Sequence, residues 1–398
     1  MRYPSAPPLW EWIGAGVPPG LQSRLGCVNS VAGGFDSHAL PPFSSFAPGP
    51  SEPRAPRTRP TVAELPPYTI REYQEGDEHA ILATFNRVFA EVVPGFQPRS
   101  LEFWRWQYLA NPSGWRIWLA VLDEGGAVIS QYAGVGQRMW LEGESANFSQ
   151  AVDSMTDPAW RRGLKKPGFF VLTGYPYAEN YGGPPPDHDT IMWGLPVPPA
   201  WRVGKTYLDY ELVRTQLKLV APVDGLCLGA SGAVEVEEVS EFPEEVRALA
   251  ERRSALSGAM AVRDKAQLDW RFVQHPEKSY RIALAKRGGE LVGCSVASTG
   301  AFDQAQSALV CDWIADPGDA EAQSALLAWQ AECARAAGEE HLTTILPDSA
   351  PEWLSFQRAG FRVRPTQYFL VGRNYTKRYS MIWLYHNWFY TLGDTDLC

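Results

Sequence analysis

The chain has no C-x-x-C pair and no cluster of Cys or His at metal-ligand spacing. Its six cysteines (Cys27, Cys227, Cys294, Cys311, Cys333, Cys398) are scattered, which excludes a zinc knuckle or a dense disulfide framework and fits a reducing, cytoplasmic setting. The six histidines are equally dispersed. His188, between Asp187 and Asp189, reads as part of an exposed turn, so no metal is expected. No apolar run reaches membrane-spanning length, and no basic segment followed by an apolar one opens the chain, so no membrane partner is expected. Positive charge is also short. Lys and Arg number 36 against 45 Asp and Glu, a net charge of −9, which argues against nucleic acid as a partner.

Aromatic surface is what the chain has in quantity: 16 Trp, 16 Tyr and 17 Phe in 398 residues, enough for large cores or an apolar cleft. Some of Trp104, Trp106, Trp115, Trp118, Trp193 and Trp201 are expected to line such a cleft, with core packing as the plainer alternative. Residues 1–67 hold 14 of the 33 prolines, mixed with Ser, Gly and Ala. Proline removes backbone donors and restricts its neighbours, so this stretch is expected to be a disordered extension.

From Tyr68 the pattern is that of a folded domain. YTIREY alternates as a strand, Ile81, Leu82, Phe85, Val88 and Phe89 recur at helical spacing, and LEFWRWQYL reads as a second amphipathic helix. Three strands follow, the last running up to Asp153, then a basic loop, a helix, a strand, a short helix and the strand YLDYELV. The order then recurs. Trp270 falls 164 residues after Trp106 and Pro276 the same distance after Pro112, while Asp312 and Asp316-Pro317 fall 159 after Asp153 and Asp157-Pro158. Gly360 likewise echoes Gly204. The chain reads as one β-α-α-β-β-β-α-β-α-β unit used twice, over 68–216 and 234–398, joined by a linker at 217–233.

The stretch AVDSMTDPAWRRGLKKPGFF (151–170) joins a strand to a basic, glycine-bearing loop and then to a run that can open a helix. Backbone N–H groups, a helix dipole and Lys/Arg side chains at such a junction suit a pyrophosphate. A solvated basic turn is the bland reading of the same residues.

The element order, the D-x-x-x-D-P at Asp153–Pro158 before the basic loop, and the glycines before Lys205 and Phe361 resemble the GNAT superfamily of acyl-CoA N-acyltransferases. In particular they resemble its tandem members, over roughly 68–375. The resemblance implies an α/β (α+β) fold of two GNAT-like domains with a mixed, splayed sheet. It implies acyl-CoA, acetyl-CoA above all, bound between the fourth and fifth strands, and transfer of the acyl group to the amine of a small molecule or peptide. The family's phosphate loop, R/Q-x-x-G-x-G/A, is matched here only as K-x-x-G-x-F at Lys165–Phe170, where Phe170 crowds a phosphate unless it turns inward. Implied cofactor contacts are Val152, Ser154 and Met155 on the strand, and Arg161, Arg162, Gly163, Lys165, Lys166, Gly168 and Phe169 on the loop. Implied catalytic groups are Tyr207 or Tyr210 as acid toward the leaving thiolate, and Asp153 or Glu142 as base.

Pro176 is expected to shorten the helix after the loop. In the second copy the matching loop, Asp316–Glu321, is acidic, so that half is expected to bind no CoA. The competing readings are a non-catalytic binding or scaffold protein that kept the fold, and a tRNA-dependent aminoacyl transferase, which the acidic charge disfavours.

Overall fold

The structure is a computed structural model that describes residues 66–92, 95–161, 166–303 and 305–398. The expected extension up to residue 65 lies outside the described residues.

The first half begins with β1 (Tyr68–Glu72) and α1 (Asp77–Val92), whose first turn carries Asp77 and Glu78, favourable at the positive end of the helix dipole. Helix α2 (Leu101–Tyr108) is capped by Ser100, whose Oγ accepts from Phe103 N at 3.0 Å. Then come β2 (Trp115–Leu122), β3 (Val128–Leu141), β4 (Glu144–Thr156), α3 (Phe169–Tyr181), β5 (Asp189–Gly194), α4 (Pro198–Tyr207) and β6 (Glu211–Pro222).

The second half repeats the order. It comprises β7 (Val234–Val239), α5 (Val246–Ser254), a short β8 (Ala259–Ala261) and α6 (Lys265–Leu268), which runs into a π-helical turn at Asp269–Val273. After these come β9 (Arg281–Arg287), β10 (Glu290–Phe302), β11 (Ala305–Ala315), α7 (Ala320–Ala336), β12 (His341–Thr344), α8 (Pro351–Arg358) and β13 (Arg362–Asn374). A tail adds α9 (Met381–Asn387) and β14 (Trp388–Phe389).

All but two short strands lie on one path: β1-β2-β3-β4-β5-β13-β6-β12-β11-β10-β9-β7. Each half has the same strand order, with its last strand exchanged. Strand β13 closes the first half against β5, β6 closes the second half against β12, and the two pair antiparallel at the centre. The expected linker at 217–233 is therefore corrected over its first third. Residues 217–222 are sheet, with Leu219 and Ala221 fully buried, and non-sheet chain begins after Pro222. Helix α3 also continues through Pro176, contrary to expectation. Its packing on the sheet, with Val171, Gly174, Tyr177 and Ala178 buried, outweighs the one lost hydrogen bond.

Candidate active site

Strands β4 and β5 run parallel and stay paired only from Asn147↔Asp189 to Gln150↔Trp193. Past that point β4 bends away. Its register against β3 skips between Gln131 and Ala133, and Asp153 takes φ 52°, the signature of a bulge that redirects the strand. The resulting gap is a narrow cleft of about 30 Å³ lined by Ala151, Ser154, Phe170, Gly194, Leu195 and Tyr210, among others. Past Gln150, β4 has no ladder pairing with β5.

Helix α3 points its N-terminus at this region. Its N-cap is Gly168, so no side chain occupies the first-turn donors. Lys166, just before it, is exposed, and Arg161 donates from Nε to Thr156 O at 2.9 Å. Arg162, Gly163 and Lys165 lie outside the described residues. Phe169 is buried against Tyr68, with ring centroids 4.9 Å apart. Phe170 turns toward the cleft and packs on Tyr132 at 5.2 Å, which is one reason the cleft is narrow.

The matching end of α7 is already filled. Asp319 accepts from Ala322 N at 3.0 Å and forks onto Arg287 at 2.8 Å, while Asp316 accepts from Gly318 N at 2.8 Å. The chain's own carboxylates thus take up donors at this helix end.

Of the two candidate tyrosines, Tyr210 lines the cleft and Tyr207 does not; Tyr207 packs half-buried in the same aromatic cluster. The Tyr210 hydroxyl hydrogen-bonds that of Tyr132, and burial pushes both phenols well above their ordinary pKa, so Tyr210 holds its proton at neutral pH. Gly204 makes this placement possible, because a Cβ there would lie 2.1 Å from the Tyr210 ring. On β4, Ser154 faces the cleft, whereas Met155 and Val152 are packed in the first-half core, with Val152 also reaching the cavity described below.

The expected bases are placed differently from one another. Glu142 lies at the β3–β4 turn, roughly 30 Å along the strand from Asp153, where it accepts from Tyr379 OH at 3.0 Å and from Arg378. Asp153 is buried. Its Oδ2 accepts from the Arg99 guanidinium, from Gln107 Nε2 at 2.7 Å and from Tyr108 OH at 2.8 Å. The second half repeats this pair, with Arg263 bonded to Asp312 at 3.0 Å in front of a helix capped by Asp264. An ion pair present in both halves holds the bulged strand to the N-terminus of an earlier helix, α2 in the first half and α6 in the second.

On the other face of β4 lies a cavity of about 410 Å³ between the halves. Its walls are aromatic, with Phe103 and Trp106 from α2 and Trp270 and Phe272 from the π-helical turn, so Trp106 does line a cleft as expected. The tail forms its floor. Arg271 donates to the carbonyls of Gly393 (3.0 Å), Thr395 (3.1 Å) and Cys398 (2.9 Å), and Arg263 pairs with Asp394 at 2.6 Å.

From this floor Asp396 meets β4, accepting from Gln150 Nε2 at 2.6 Å. Burial, reinforced by the nearby Asp153 charge, pushes its carboxyl up to about 6. His275 is no competitor for a proton. Burial, then the Arg271 and Lys278 charges, pull it down to about 3, and its Nδ1 accepts from the amides of Glu277 (3.2 Å) and Lys278 (3.0 Å). Sequence reasoning missed Asp396, for which the D-T-D at Asp394–Asp396, after an aromatic-rich stretch, was the signal.

Among the described residues no group of three or more His, Cys, Asp or Glu is placed to hold a metal ion, and no helix is long and apolar enough to cross a membrane.

No protein-family model matches the chain, and no curated protein does. Solved structures do. A probable N-acyltransferase from Enterococcus faecalis superposes with a TM-score of 0.57 at 12% identity, covering 78% of this chain and 73% of that one. A GCN5-related N-acetyltransferase from Anabaena variabilis gives 0.57 at 12% identity over 78% and 74%. Another from Kribbella flavida gives 0.54 at 14% identity over 79% and 72%.

Proposed function

From the tandem GNAT fold of this chain, we propose that it is an N-acyltransferase in which the first half works and the second half shapes the acceptor site. One observation carries the reading: a single strand, β4, separates a cleft beside an open helix N-terminus from a cavity that presents an acid of raised pKa.

Lys165, Lys166 and the amides around Gly168 would take the pyrophosphate of acyl-CoA, with its thioester arm between β4 and β5. The narrowness of that cleft favours a short acyl group such as acetyl. Asp396 takes the proton of the acceptor ammonium, and the freed amine attacks the thioester carbonyl. Backbone N–H groups of β4 past Gln150 meet the oxyanion, and the Tyr210 phenol returns a proton to the departing thiolate. The aromatic walls favour an amine with an apolar body, whether a small molecule or the amine end of a peptide.

The narrow cleft is also what favours the competing reading, a non-catalytic protein that kept the fold. Calorimetry with CoA separates the two. Lys165→Ala with Lys166→Ala should weaken binding about tenfold or more, since charge-assisted phosphate contacts contribute about 1.5–3 kcal/mol each. Asp319→Ala should leave the affinity unchanged. A wild type that binds no CoA overturns the proposal.

A further inference from the structure

The arginines around the cavity between the halves are already in use. Arg138 forks onto Asp264 at 2.8 and 2.9 Å, Arg263 pairs with Asp312 and Asp394, and Arg271 is held by the tail. Lys278 differs. It lines the same cavity, yet among the described residues no carboxylate or other acceptor lies within bonding distance of its ammonium. Its backbone is fixed, because the amides of Glu277 and Lys278 both donate to His275 Nδ1, at 3.2 and 3.0 Å, and the His275 ring packs on Trp106 with centroids 4.2 Å apart. The neighbouring acid is no partner either, since Glu277 Oε1 accepts from Ser100 Oγ at 2.8 Å.

A half-buried ammonium without a bonded counter-charge is held at a cost. Burial pulls Lys278 below the ordinary lysine pKa, and the Arg271 charge adds to this. An anion entering the cavity would relieve both effects. His275 supplies a second donor from the same segment, because a neutral ring that accepts at Nδ1 carries its proton on Nε2. Asp396, on the cavity floor, is near enough for its charge to act on Lys278. A place for an ammonium and a place for a carboxylate therefore adjoin, within aromatic walls. The volume of about 410 Å³ is that of a small-molecule site.

We propose that the acceptor is a free amino acid with an apolar side chain, its carboxylate paired with Lys278, its ammonium facing Asp396 and its side chain among the aromatic rings. The inference rests on the reading of this cavity as the acceptor site and narrows it. The end of a peptide fits less well, because the group beside its amine is an uncharged amide that leaves Lys278 without a counter-charge. Lys278 acts here in binding and takes no part in the proton transfers.

The test is calorimetry on the full chain, with and without saturating CoA, using L-phenylalanine, L-leucine, L-phenylalanine amide and 2-phenylethylamine. Phenylalanine should bind about tenfold or more tighter than its amide and than phenylethylamine, which keep the ring and the amine but lack the carboxylate. Lys278→Met should abolish this preference while phenylethylamine binds as before, which also shows that the variant is folded. Lys278→Arg should retain the preference. Failure of both amino acids to bind in either condition, an amide that binds as tightly as the acid, or a preference that survives Lys278→Met overturns the proposal. The outcome is separable from that for acyl transfer. A chain that binds phenylalanine but never CoA keeps this site and loses the enzyme reading, and one that binds CoA but neither amino acid does the reverse.

Discussion

Trp106 and Trp270 hold each other by the same bond given twice. Trp106 Nε1 donates to the Trp270 carbonyl at 2.8 Å, Trp270 Nε1 donates to the Trp106 carbonyl at 2.9 Å, and the rings stack at 5.1 Å and 17°. Reciprocity of this kind requires a local two-fold axis, here relating α2 to the turn after α6 (Asp269–Val273). Each Trp→Phe substitution should cost about 2 kcal/mol, because a buried carbonyl loses its donor. The double variant should cost less than the sum, since each change also spoils the stack the other relies on. Urea unfolding of the three variants checks this, and strict additivity would count against it.

The two Arg–Asp pairs should respond differently. Asp153→Ala leaves Arg99 buried with no carboxylate bonded to it, whereas Asp312→Ala leaves Arg263 its pair with Asp394. The first is expected to cost about 3–5 kcal/mol and the second clearly less. Chemical denaturation measures both, and a negligible cost at Asp153 would restore it as a candidate base kept for chemistry alone.

Asp396 should leave opposite marks on activity and stability across one pH window. A base must be ionised, so kcat/KM should rise with pH through about 6. For stability the sign reverses. The folded pKa lies above the unfolded value, so the contribution is fully present below about pH 4 and lost as pH rises through about 6, amounting to no more than about 3 kcal/mol. Asp396→Asn should abolish the acidic limb and flatten this part of the stability profile. Asp153→Asn, by removing the neighbouring negative charge, should move the limb to lower pH. Limbs unmoved in both variants would remove Asp396 from the mechanism.

Gly204→Ala should act on the cleft through Tyr210. The added methyl would meet the ring at 2.1 Å, so the ring or α4 must shift, at a cost of about 1–3 kcal/mol. CoA affinity by calorimetry should fall along with the melting temperature, and a variant that loses stability but binds CoA normally would separate Tyr210 from the cleft.

The element order and the internal duplication were legible because apolar periodicity and turn residues are local, and because paired landmarks such as Trp106 and Trp270 keep one spacing. The strand exchange was not legible. β6 and β13 carry similar alternation and fit the same kind of sheet edge, so nothing local says which half each one completes. Asp153 reads in the sequence as the end of a strand, but β4 runs on to Thr156 past a bulge there; the Arg99 that pairs with it lies 54 residues earlier, and no spacing rule links them. Asp396 reaches β4 only because Arg263 and Arg271 pin the tail, contacts of long sequence separation that composition does not encode.

The exchange of β6 and β13 also sets a timetable for synthesis. The open edge of β5 receives its partner only when Val371–Asn374 has been made, roughly 180 residues after Gly194. At ordinary elongation rates that is a wait of about 10–40 s, during which the sheet of the first half stays open beside Ile191 and Trp193. The second half cannot be shed by early termination without leaving the first unfinished.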